Sequence, residues 1–172
     1  CRDLAGKFNR AYDGEFLKIP EEHIVKSVAI VPGTDGRKMS KSYGNTIPIF
    51  GEGKPLKKTI MSIQTDSTPL EDPKDPDNDN VFALIKLFAD KETQGEIADK
   101  YKAGGYGYGH AKKELLTLFK DYFGEALEKR KELEKNLDYV HDVLTEGGKK
   151  ARERAETVMQ PIREATGIMR HF

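Results

Sequence analysis

The chain has 172 residues, 29 Lys and Arg balanced by 29 Asp and Glu, a single Cys, and 34% charged residues. Nothing in it approaches the roughly 18 consecutive apolar residues a membrane helix requires, and no signal-peptide pattern opens it. One Cys excludes an internal disulfide, which removes the stapled secreted scaffolds and indicates a reducing compartment, while 8 Phe and 7 Tyr at zero net charge exclude disorder.

The length admits one domain or two small ones. The chain begins at Cys1 rather than Met and enters a helical pattern at once, as expected of a piece of a longer protein. Arg2 to Ala11 reads as a short amphipathic helix with Leu4, Phe8 and Ala11 on one face. Gly14 ends it, and Pro20 opens the next segment. The β-branched run Val25 to Val31 predicts a strand. Pro32-Gly33-Thr34-Asp35-Gly36 is dense in turn residues, so a mobile loop follows to about Asn45.

Lys54 to Ile63 predicts a helix with Leu56, Ile60 and Ile63 inward. Thr65 to Asn80 carries Pro69, Pro73 and Pro76 and no hydrophobic period, which predicts an extended acidic loop. Asp79 or Asn78 is placed to cap the next helix, Val81 to Ala89, whose apolar density makes it the most buried of this half. Thr93 with Glu96 reads as a capping box for another helix. Gly104-Gly105-Tyr106-Gly107-Tyr108-Gly109 is a break. Leu115, Leu116, Phe119, Tyr122, Phe123 and Leu127 then mark one helical face, which Leu133, Leu137, Val140 and Leu144 continue. Gly147-Gly148 is expected to break the run before a last helix through Ala151, Ala155, Val158, Ile162 and Ala165. Pro161 should kink that helix and Gly167 should cap it. The fold class is therefore mainly α, with one short strand and a glycine-rich loop near the start.

The neutral total conceals segregation. Arg37, Lys38, Lys41, Lys54, Lys57 and Lys58 face only Glu52 between Gly36 and Thr65. The stretch from Asp66 to Asp79 is acidic, with Lys74 its one base. A local field, not the average, steers a charged ligand. Within the basic stretch, Gly36 to Asn45 sets Lys38 and Lys41 three residues apart, with Ser40 and Ser42 beside them and glycines at both ends. Such a loop is either a solvated basic segment or an anion cradle. In a cradle the glycines let backbone N–H groups approach, the hydroxyls donate, and the flexible ammonium groups follow phosphate charge as it builds.

Lys38-Met39-Ser40-Lys41-Ser42 resembles the KMSKS signature of class I aminoacyl-tRNA synthetases. Pro32 to Arg37, Tyr43-Gly44-Asn45-Thr46-Ile47, Arg2-Asp3-Leu4-Ala5 with Phe8-Asn9, Thr65-Asp66-Ser67, and Gly105-Tyr106-Gly107 with Lys112 extend the likeness over essentially the whole chain. It is similar to the C-terminal portion of the bacterial-type tryptophanyl-tRNA synthetases. The resemblance implies the end of a class I Rossmann-like catalytic domain over residues 1–53 and an α-helical anticodon-binding domain over 54–172. It implies a cytoplasmic, homodimeric enzyme, with no membrane association, that activates tryptophan with ATP and Mg²⁺ and transfers it to tRNA(Trp). Lys38 and Lys41 would stabilise the leaving pyrophosphate. Met39, Ser40 and Ser42 would contact the nucleotide, and Ala29 and Ile30 would flank the adenine. No tightly bound metal is expected.

The family's His-Ile-Gly-His-like motif is absent, since His23, His110, His141 and His171 all have other neighbours. The chain by itself is therefore expected to be inactive. In the family the helical domain reads the anticodon, and the matching positions here are Asp66 and Lys112. Asp66 can accept from the exocyclic amine of a splayed base, or it can cap a turn. Lys112 can meet phosphate, or it is a solvated helix lysine. Tyr106 and Tyr108 offer rings for base stacking or for packing. The Lys149, Lys150, Arg152, Arg154 cluster is either a solvated face or a tRNA phosphate contact. Lys129 to Lys131, flanked by glutamates, read as helix-surface ion pairs. Two other readings remain open: a portion of a tyrosyl-tRNA synthetase, and a non-catalytic helical RNA-binding module.

Overall fold

The computed structural model describes residues 1–25 and 28–168. It is mainly helical: α1 Arg2–Ala11, α2 Gly53–Met61, α3 Asn80–Ile85, α4 Lys91–Ala103, α5 Tyr108–Glu134 and α6 Leu137–Thr166, with 3₁₀ turns at Lys41–Tyr43 and Pro76–Asn78. The chain forms two compact units, one of Val25–Arg130 and the other of Cys1–Ile24 with Lys131–Phe172. Among the described residues no helix is long and apolar enough to cross a membrane.

The unit Val25–Arg130 holds the core. Leu56 and Ile60 of α2, then Ile63, meet Val81, Phe82, Leu84 and Ile85 of α3, Ile97 and Tyr101 of α4, and Ala111, Leu115 and Phe119 of α5. Each buried Leu, Ile or Phe contributes about 1.5–3 kcal/mol relative to exposure. The short α3 is the most buried, as its sequence predicts, although it gives way to turns after Ile85. Asp79 caps it and is itself 7% exposed. Its Oδ1 accepts from the Phe82 amide at 2.7 Å and from the Tyr101 hydroxyl at 2.8 Å. Burial raises the Asp79 pKa against the pull of these two bonds. Asp79→Ala should therefore cost about 2 kcal/mol, one part for the lost cap and one for the stranded Tyr101 hydroxyl. Asp79→Asn keeps an acceptor for both donors and sheds the buried charge, so it should cost under about 0.5 kcal/mol. Urea unfolding of the two variants checks the difference.

The other unit contains α1, the segment after it, and α6. Asn9 clasps Leu17, its Nδ2 donating to the Leu17 carbonyl at 2.7 Å and its Oδ1 accepting the Leu17 amide at 2.9 Å. Phe8 packs edge-on against Phe16. No described residue of α6 is buried.

Three expectations are corrected. The strand over Val25 to Val31 does not form among the described residues, and Lys26 and Ser27 lie outside them. The Val28 amide donates to the Val25 carbonyl at 3.0 Å, within the same segment rather than to a neighbouring strand. A β run exists only as a ladder with a neighbour, and the described residues supply just one antiparallel bridge, Pro32 to Lys38. Thr93 is not the cap of α4: Asp90 is, accepting the Thr93 amide at 2.8 Å, so the cap stands three residues earlier. Gly147-Gly148 does not break the final run. Glycine in a helix interior costs only about 1 kcal/mol relative to Ala, and the 30 residues of α6 pass through both. The break falls at Lys135-Asn136, where Asn136 caps α6 through the Tyr139 amide. Gly167 caps its other end at φ 69°, and Pro161 lies inside it. His171 lies outside the described residues.

Candidate functional site

The Gly36–Asn45 segment is a braced loop. The bridge between Pro32 and Lys38 is flanked by the Gly33 amide donating to the Arg37 carbonyl at 2.7 Å and the Met39 amide donating to the Val31 carbonyl at 2.8 Å. At the centre of the loop stands Asn45, 2% exposed. Its Oδ1 accepts the Ser40 amide at 2.8 Å, and its Nδ2 donates to Asp35 Oδ1 at 2.7 Å and to the Lys38 carbonyl at 3.3 Å. The Asn45 bond, ahead of Arg37, holds the Asp35 carboxyl below its ordinary pKa. Asn45 fits because position 33 has no side chain: a Cβ there would collide with the Asn45 amide. Gly44, at φ 65°, closes the 3₁₀ turn that carries Lys41 and Ser42.

The bracing sorts the cations. Arg37 is committed to Asp35, at 2.6 Å, and lies over the Tyr43 ring. Lys38 and Lys41 are exposed and form no ion pair among the described residues. Ser40 Oγ and Ser42 Oγ lie 2.8 Å apart beside them. Lys38, Met39 and Ala29 also line a cavity of about 640 Å³ whose other walls include Phe88, Phe119 and Phe123. Ile30, 68% exposed, is not among its lining residues. Thus the structure brings Ala29, Lys38 and Met39 to one apolar cavity. Ser40, Lys41 and Ser42 follow on the adjoining turn. Among the described residues no three His, Cys, Asp or Glu side chains converge as a metal site.

The base of this loop is tied to Gln64, just ahead of the acidic segment, and through it to Asn80, just after. The Gln64 amide donates to the Thr34 carbonyl at 2.8 Å, and Asn80 Nδ2 donates to the Gln64 carbonyl at 3.0 Å. Two residues on, Asp66 is exposed. Its Oδ1 accepts the Thr68 amide at 2.9 Å and the Tyr108 hydroxyl at 2.6 Å. The Tyr108 bond is the largest cause of a lowered Asp66 pKa. Burial, then the Asp66 bond, pushes the Tyr108 phenol up to about 12, so it stays a donor. A carboxylate offers about four acceptor positions, so Asp66 retains capacity for an incoming amine.

Lys112 also makes a bond within the fold. Its Nζ donates to the Met61 carbonyl at 3.1 Å, closing the C-terminus of α2, and burial lowers its pKa. Tyr106 and Tyr108 are half-buried and cluster with Tyr101, at centroid distances of 5.6 and 6.2 Å, so their rings serve packing. Lys149 pairs with Glu146 on α6. The residues missed in the sequence are Asn45 and Asp35, which hold the loop, and Lys74, which holds the acidic segment. The only trace of the first is an Asn directly after the αL glycine, and of the last a lone base among acids.

Comparison with known proteins identifies the family. The family model for class I tRNA synthetases (W and Y) matches residues 1–124. The chain is 56% identical to the tryptophan–tRNA ligase of Fusobacterium nucleatum over 98% of its own length and 51% of that protein. To the ligase of Rhodopirellula baltica it is 51% identical, over 98% and 52% of the two chains. The crystal structure of Campylobacter jejuni tryptophanyl-tRNA synthetase complexed with ADP and tryptophan superposes with a TM-score of 0.80 at 49% identity, covering 97% of this chain and 52% of that one. The chain spans about half the length of the curated relatives it matches. With the KMSKS loop and most of its length matched, the chain belongs to the class I tRNA synthetases of the tryptophan and tyrosine branch.

Proposed function

We propose that the chain is the C-terminal portion of a tryptophan–tRNA ligase, residues 1–53 completing the catalytic domain and residues 54–172 forming an anticodon-binding domain. In that reaction the tryptophan carboxylate attacks the α-phosphate of ATP, pyrophosphate leaves, and the adenylate acylates tRNA(Trp). The catalysis is positioning and charge stabilisation. One observation carries the reading: Lys38 and Lys41, without an ion-pair partner among the described residues, stand on a loop whose backbone is fixed from beneath by buried Asn45. Lys41, with Ser40 and Ser42, meets the charge that builds on the departing pyrophosphate, and Lys38 approaches from the cavity side. Ala29 and Met39 supply apolar surface toward the nucleotide, with Ile30 beside them. Mg²⁺ would accompany ATP as the phosphates' own counter-ion, since the Gly36–Asn45 loop offers ammonium and hydroxyl groups rather than carboxylate ligands. Asp66 accepts from an anticodon base, and Lys112, whose Nζ keeps two N–H groups beyond its bond to the Met61 carbonyl, contacts the RNA.

The experiment is ATP–pyrophosphate exchange. The enzyme containing this chain should show exchange that depends on tryptophan and not on tyrosine. Tyrosine-dependent exchange would move the chain to the other member of its family. The 172-residue chain alone should show none, because it has no His-Ile-Gly-His-like motif, and detectable exchange would refute that.

A further inference from the structure

The single base of the acidic stretch is buried. Lys74 is 4% exposed. Its Nζ donates to the carbonyls of Pro69 at 2.7 Å, Leu70 at 3.2 Å and Asp72 at 3.0 Å. These bonds saturate the donors of one ammonium group. Its backbone amide donates to the Tyr101 carbonyl at 2.8 Å. The segment is closed from the other side as well, where the Gly105 amide donates to the Leu70 carbonyl at 2.9 Å and a Cβ at Gly104 would strike the Glu71 carbonyl.

Withdrawing an ammonium from water costs several kcal/mol unless its partners repay it. Closing a short loop does not require a charge, so the position of this one matters. Nζ lies 5.5 Å from the centroid of the Tyr108 ring, and the Tyr108 hydroxyl donates to Asp66. One cation thus gathers the 69–72 backbone and steadies the ring that aims the exposed carboxylate. We propose that Lys74 is a positioning residue for base recognition at Asp66: it fixes Tyr108, and Tyr108 fixes the carboxylate that accepts from the exocyclic amine of an unpaired base. The inference rests on the reading of Asp66 as a base acceptor.

Binding of the full chain to tRNA(Trp), and to the same tRNA with each anticodon cytosine replaced by uracil, tests it. Uracil presents a carbonyl where cytosine presents an amine, so a carboxylate acceptor discriminates between them. Parental protein should prefer cytosine, and Asp66→Asn should abolish the preference. Lys74→Met should reduce it about tenfold while affinity for the uracil form stays within about twofold. A purely structural lysine would lower both affinities together and leave their ratio unchanged, and that result overturns the proposal. Should Lys74→Met fail to fold, Tyr108→Phe removes only the hydroxyl, and an unchanged ratio there overturns it equally. If Asp66→Asn leaves the preference intact, the Asp66 reading fails and takes the proposal with it. If Asp66→Asn abolishes the preference and Lys74→Met does not alter it, only the proposal fails.

Discussion

Replacing Lys41 by alanine in the enzyme containing this chain should lower tryptophan-dependent ATP–pyrophosphate exchange by about 10²–10³-fold, with KM for tryptophan unchanged. The magnitude is that of removing one preorganised group aimed at developing charge, about 2.7–4 kcal/mol of transition-state stabilisation. It falls on kcat because the ammonium follows the phosphate as charge accumulates rather than gripping the ground state. Lys41 is exposed, opens the 3₁₀ turn and has no ion-pair partner among the described residues, so its deletion strands no other side chain. Lys41→Arg should recover only part of the rate, because a planar fork is not a compact point charge. Arg37 provides the contrast. It is already bonded to Asp35 and stacked on Tyr43, so Arg37→Ala should cost less than about tenfold. Equal losses at 37 and 41 would show that net positive charge, not placement, is what the loop supplies.

The contrast between Arg37 and Lys41 also marks where sequence stops being legible. Helices α2 and α5 follow from apolar spacing, since one buried face is enough to specify a helix, whereas α1 forms where predicted but buries Ala5 and leaves Leu4, of its expected face, 71% exposed. The KMSKS string was legible because it is a contiguous run of five residues. What holds that run was not, because Asn45 works across the loop, bonding Asp35, Lys38 and Ser40 at separations that no local pattern encodes. The strand expected over Val25 to Val31, which does not form among the described residues, has the same cause from the other side. Val28 to Val31 has β-branched character, but character does not supply a neighbour, and the backbone pairs across a bridge instead. Lys74 reads as one compensating charge in an acidic stretch. Only the fold shows it enclosed by three carbonyls. Lys112 likewise carries a bond that no local pattern announces, to the carbonyl at the end of α2.

Asn45→Ala should loosen the whole anion loop. The substitution removes an acceptor from the Ser40 amide and donors from Asp35 and the Lys38 carbonyl. At a net value of about 1 kcal/mol per bond, roughly 3 kcal/mol of local order is lost, and amide hydrogen exchange across residues 37–44 should accelerate about 100-fold. Exchange at the α3 core should not change, which separates local opening from global unfolding. Asn45→Asp is the sharper probe. It keeps an oxygen for Ser40 but loses both donated bonds and sets a second carboxylate against Asp35. Asp35 now depends on the Asn45 amide for its lowered pKa, so its folded-state value lies below the unfolded 3.8. In the parental chain that contribution is complete above the unfolded value and fades only as pH falls through the lower folded one. In the Asn45→Asp variant the sign reverses. Two adjacent carboxylates share a proton at a raised pKa, so the loop should be most open at neutral pH and should close as pH falls through that raised value. Hydrogen exchange in the loop, corrected for intrinsic rates, should therefore slow on acidification in Asn45→Asp and stay level in Asn45→Ala. A flat profile in both would mean that Asp35 does not face position 45 in solution, and the bracing of the KMSKS loop would have to be assigned to the bonds of Asn45 with Ser40 and Lys38 and to the backbone bridge.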